Sequence, residues 1–145
     1  MKFSVKVILI AAALAATGAY AKGDRTDPNA IARSQTMSAV GGAMKVLGGM
    51  AGGEVAFDAA AATAAKDALV AAATGAPAAF MTQGAADPAS EAKPELWANW
   101  DDFIVKSTAL TDAAMALDVS SAESIGAGMG ALGGACKACH TAYRM

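Results

Sequence analysis

Two cysteines and one histidine stand close together near residue 140, as Cys136-Lys137-Ala138-Cys139-His140. Spacing i, i+3 and i+4 places three side chains on one face of a helix. Two thiols on such a face can each form a thioether with a haem vinyl group. The imidazole beside the second thiol then points at the iron, so Cys-x-x-Cys-His is the attachment signature of c-type haem. The expected cofactor is one covalently bound haem c, with Cys136 and Cys139 as attachment points and His140 as iron ligand. Three other uses of these residues compete. A disulfide between Cys136 and Cys139 would staple only a tiny loop. A thioredoxin-like redox pair expects a βαβ setting. A zinc site needs four ligands as a rule, and the chain has two cysteines and a single histidine.

A single histidine excludes bis-histidine ligation within one chain. The sixth iron position is therefore open or filled by another residue type, for which methionine sulfur is the candidate. Met37, Met44 and Met50 lie in the first half of the chain. A methionine on a helix face is more often a core filler than a ligand, and both roles stay open for Met37.

The elements that position this motif read as helices. Asp27-Pro28 combines an N-cap residue with proline at the first helical position. Met37, Val40, Met44, Leu47 and Ala51 then follow at steps of three and four. Gly52-Gly53 stops this first helix. Asp58 caps a second, which runs through Ala61, Ala64, Ala68 and Ala71 and ends near Gly75. From Gly75 to Glu95 the pattern is lost among three prolines, which predicts a long connection. Leu96, Trp100, Phe103, Ser107, Leu110, Ala114 and Leu117 form the stripe of a third helix. Ser120-x-x-Glu123 reads as a capping box. It opens a fourth helix with Ile125, Met129, Leu132, Cys136, Cys139, His140 and Tyr143 on one face. Glycines 126, 128, 130, 133 and 134 interrupt that helix, and the expectation is that something bulky approaches its backbone. The fold class is all-α, an antiparallel four-helix bundle around haem c.

Residues 1–21 read as an export signal, with Lys2 and Lys6, a short apolar run and Ala19-x-Ala21 before the cut. The run is too short to span a bilayer comfortably, so no stable membrane insertion is expected after cleavage. The domain is residues 22–145. Without Lys2 and Lys6 it holds nine basic against thirteen acidic residues, a net charge of −4. No basic stripe exists, so nucleic acid is not an expected partner. Rich in alanine and glycine, the domain can bury only a thin core of its own, and a large apolar cofactor would extend it.

A Cys-x-x-Cys-His motif at the C-terminal end of a four-helix chain resembles the cytochrome c′ family. Arg33-x-x-x-Met37 resembles an element of that family's first helix. Val46-Leu47-Gly48-Gly49-Met50-Ala51-Gly52-Gly53-Glu54 with Phe57-Asp58 resembles its first turn. Pro94-Glu95-Leu96-Trp97 resembles the start of its third helix, and Cys136 to Arg144 its last segment. The resemblance implies roles. Arg33 would lie near a haem propionate, Glu91 would lie close to the haem, and Arg144 would flank His140. Met37 would be either the sixth ligand, as in low-spin relatives, or a filler beside a five-coordinate iron. The surrounding Ala39, Gly41, Gly42 and Ala43 leave room for the sulfur and favour ligation. Trp97, Trp100 and Phe103 read as core.

The function expected is one-electron transfer in the periplasm, with redox proteins as partners. The alternative is a five-coordinate haem that binds a small gas such as nitric oxide or carbon monoxide. An enzyme is not expected. A peroxidase wants a distal acid/base group, against which the lack of a second histidine speaks, and a disulfide oxidoreductase needs thiols that haem attachment consumes. The family also implies a possible homodimer through the first two helices, which the small residues Ala61, Ala64, Ala68 and Ala71 would permit.

Overall fold

The computed structural model describes residues 23–145, so the expected export segment and its cut lie outside the described residues. The order is α1 (Pro28–Ala51), α2 (Ala59–Phe80), α3 (Glu95–Ala98), α4 (Trp100–Ala116) and α5 (Ala122–Tyr143). α3 is a single turn leading into α4, so the four long helices are those expected. They close a ring: α1 packs on α2, α2 on α4, α4 on α5 and α5 on α1.

The caps follow from local chemistry. The Asp27 carboxylate accepts from Ala30 N at 2.9 Å, with Pro28 directly behind it. Asp58 accepts from Ala61 N at 2.8 Å. α5 is capped one residue later than the Ser120 box predicts: Ser121 Oγ accepts from Ser124 N at 3.1 Å. Two adjacent serines could take this position, and Ser121, with an extended backbone, does so.

Three other expectations are corrected. α2 does not stop near Gly75 but continues through Pro77 to Phe80, which shortens the long connection to 81–94. Phe80 is buried against Phe103, Leu96 and Tyr143, and this packing overrides the local proline signal. The third helix is broken at Asn99, whose φ of −124° and ψ of 47° are not helical. The buried stripe of α2 is Ala62, Ala65, Leu69, Ala73, Ala76 and Phe80, while Ala64, Ala68 and Ala71 face outward and Ala61 is half-buried.

The interior has two parts. One is aliphatic and alanine-rich, around Leu47, Leu69, Ile125 and Leu132. The other is aromatic, around Phe80, Leu96, Phe103 and Tyr143. The glycines of α5 meet little protein. A Cβ at Gly130, Gly133 or Gly134 would find nothing within 4 Å, and one at Gly126 would just reach Ala51. Only Gly128 is closely approached, by the side chain of Leu117.

Candidate functional site

Cys136, Cys139 and His140 lie on the last turns of α5, all three half-buried. Burial pushes both thiols above their ordinary range. The two cysteines serve different parts of the interior: Cys136 packs against the aliphatic cluster, Cys139 against the aromatic one. Burial lowers the His140 imidazole below its usual value, and Arg144 lowers it further while Glu91 opposes. A neutral imidazole is the form that binds iron.

Met37, on α1, is partly buried and packs against both clusters. It alone among the described residues has that double contact. Met44 and Met50 belong to the aliphatic cluster only. A thioether beside the seam that the two cysteines flank is well placed to meet a group spanning that seam.

One turn earlier on α1, Arg33 is 5 % exposed. Burying a charge so deeply requires partners. Its Nη1 donates to the carbonyl oxygens of Thr82 and Gln83, 3.0 Å each. Its guanidinium carbon stands 5.1 Å from the Trp97 ring centroid and 6.0 Å from that of Phe80. Asp27 and Asp87 favour its charge while burial works against it. Its Nε is buried and has no partner. An unused guanidinium N–H in such a place fits a carboxylate acceptor, which is what a haem propionate supplies. A cleft of about 360 Å³ opens beside Arg33 and Trp97, walled also by Gln83, Asp87, Ser90 and Met145.

The loop before α3 is tied to the C-terminal segment. Glu91 accepts from Arg144 Nε at 2.8 Å and pairs with its Nη2 at 2.7 Å. Ala92 and Arg144 form an antiparallel bridge, and Lys93 N donates to Tyr143 O at 2.9 Å. The structure therefore brings Glu91 to the His140 side through Arg144, and it brings Arg33 and Met37 together on α1. Glu91 and Arg33 act on different segments.

Two features went unseen in the sequence. The Tyr143 hydroxyl donates to the Asp102 carboxylate, which Lys106 holds from one helical turn away at 2.6 Å. This ties α5 to α4 three residues beyond His140. Trp97 carries an indole N–H that donates to Phe80 O at 2.7 Å. Aromatic spacing marks such residues as core and does not show where their polar ends go.

Similarity to known proteins agrees with this geometry. The Cytochrome C' family profile matches residues 29–144. A cytochrome c-556 from Agrobacterium tumefaciens (strain apple 185) is 38 % identical, over 79 % of this chain and 92 % of that protein. A cytochrome c' from Rhodospirillum rubrum is 35 % identical, over 97 % and 99 %. Among solved structures, a cytochrome c' from Rhodobacter Spheriodes superposes with a TM-score of 0.71 at 31 % identity, covering 81 % of this chain and 95 % of that one. A nitric oxide complex of a mutant cytochrome c prime from Alcaligenes xylosoxidans gives 0.69 at 27 %, covering 80 % and 93 %. The chain belongs to the cytochrome c′ family and, as its members do, carries a covalently bound haem c.

Proposed function

We propose that the protein is a periplasmic one-electron carrier whose haem is held by Cys136 and Cys139 and ligated by His140 and Met37. Bound there, the haem supplies the redox couple. The chain's residues would do the rest: Cys136 and Cys139 would hold the haem through thioethers, His140 and Met37 would supply its iron ligands, and Arg33 would meet the charge of a propionate. Glu91 acts through its ion pair with Arg144, steadying the segment that carries His140. The observation that carries this reading is the place of Met37, in contact with the cluster of Cys136 and the cluster of Cys139 at once. A saturated iron suits electron exchange, since little must move when the charge changes. Thioether ligation also raises the reduction potential.

The test is the ferrous absorption spectrum. Wild-type protein is expected to be low-spin and to bind carbon monoxide slowly, limited by departure of the sulfur. Met37→Ala is expected to be high-spin and fast, while Met44→Ala and Met50→Ala keep the wild-type spectrum. A wild-type spectrum already high-spin and matched by Met37→Ala refutes ligation.

That result would leave the second reading, a five-coordinate haem that binds a small gas. It is favoured by the nitric oxide complexes among the similar structures. A homodimer is compatible with either reading. Ala64, Ala68 and Ala71 turn a small, exposed stripe outward on α2, which supports close approach of a second copy. Among the described residues no helix is long and apolar enough to cross a membrane.

A further inference from the structure

Arg33 is the most deeply buried cation in the described structure, and its position has to be set by its surroundings. A long side chain has rotamers to lose, and only fixed neighbours select one of them. Three contacts do so here. The Trp97 ring lies 5.1 Å from the guanidinium carbon, within cation–π range. The carbonyls of Thr82 and Gln83 take Nη1. These carbonyls follow the last turn of α2, and that turn is itself pinned by the Trp97 indole N–H on Phe80 O. One residue therefore acts on Arg33 twice, once by its face and once by its nitrogen.

The geometry points to Trp97 as the positioning residue of the haem-edge anion site: its ring carries Arg33, its Nε1–H fixes the α2 end that holds Nη1, and Nε is left for the propionate. This rests on the reading that Arg33 faces a propionate. A pure packing role fits Trp97 less well. Leu96 beside it is 1 % exposed and fills the aromatic cluster, whereas Trp97 is only half-buried at its margin. Packing alone would also be served by any apolar side chain and would not need the 2.7 Å bond to Phe80 O. The charged groups near Arg33, Asp27 and Asp87, attach to backbone N–H groups of the α1 start and the crossover. They favour the charge of Arg33 but do not hold its plane.

The experiment is resonance Raman spectroscopy of the haem-loaded protein, read at the propionate bending band, which reports hydrogen bonding to the carboxylate. Haem content and far-ultraviolet circular dichroism check that each variant has matured. Arg33→Leu is expected to shift the band. Trp97→Leu is expected to shift it the same way and at least half as far. Trp97→Phe, which keeps a ring but lacks the N–H, is expected to fall between wild type and Trp97→Leu. A shift in Arg33→Leu with both Trp97 variants at the wild-type position overturns the role of Trp97. If Trp97→Leu does not mature, Trp97→Phe decides, and a band at the wild-type position again overturns it. No shift in Arg33→Leu refutes the Arg33–propionate reading itself, and the role of Trp97 falls with it.

Discussion

Alanine replacing Gly128 and alanine replacing Gly126 are the same chemical change on the same helix, yet they should move stability apart. Each removes a glycine from a helix interior, which is worth up to about 1 kcal/mol. The new methyl meets different surroundings. At Gly126 it just reaches Ala51 Cβ, at 4.0 Å. At Gly128 it overlaps Leu117 Cδ1, with Leu117 Cγ 3.7 Å away. Leu117 is 2 % exposed and belongs to the aliphatic cluster, so it cannot swing into solvent, and overpacking of this kind costs about 1–3 kcal/mol. The propensity gain is common to both variants and cancels in the comparison. Gly126→Ala should therefore exceed Gly128→Ala by about 1–3 kcal/mol, or roughly 4–15 °C in melting temperature for a domain of this size. The assay is thermal unfolding of the haem-loaded proteins, followed by far-ultraviolet circular dichroism at one heating rate. In a Leu117→Ala background the penalty at Gly128 should vanish, as expected for two residues that touch. If Gly128→Ala melts with or above Gly126→Ala, the close approach of α4's end to α5 does not constrain this position.

Three further outcomes are expected. The Tyr143 phenol is pushed up to about 12, first by its hydrogen bond to Asp102; its contribution to stability is complete below the ordinary value of 10 and disappears as pH rises through 12. An ultraviolet titration should show that midpoint, and Asp102→Asn should lower it; a wild-type midpoint near 10 contradicts the Tyr143–Asp102 bond. Backbone N–H groups hold the carboxyls of Asp27 and Asp87 below their ordinary value of 3.8, so their contribution is present above that value and fades as pH falls through the depressed ones. Urea unfolding between pH 2 and 5 should show a shallower acid loss in Asp87→Asn, and an unchanged slope counts against the tie between the α1 start and the crossover. Sequencing of the protein from its native host should begin at Lys22, and a start at Met1 refutes the export cut.

What the sequence made legible was local. Asp27 and Asp58 cap helices because an N-cap needs only a side-chain oxygen and an N–H three residues on, and both bonds are present. Cys136, Cys139 and His140 were readable for the same reason, since helical spacing alone puts them on one face. Arg33 and Met37 needed the family resemblance, because a lone cation and a lone methionine have ordinary uses. The end of α2 was misread because Gly75 and Pro77 are local stop signals, and the packing that overrules them comes from Phe103 and Leu96, some twenty residues away. The Glu91–Arg144 pair spans 53 residues and the Tyr143–Asp102 bond 41. No spacing rule reaches so far.

The division of the interior bears on how the protein opens. Hydrogen-exchange protection follows cooperative units, and a unit is held by the apolar contacts it shares with its neighbours. The aliphatic and aromatic clusters share one side chain, Met37, among the described residues. Without a bridge, each can lose protection at its own free energy. A haem held by Cys136 and Cys139, as proposed, would lie against both clusters and add apolar contacts that they share. It would then couple the opening of one cluster to that of the other, a mechanical role apart from its redox one.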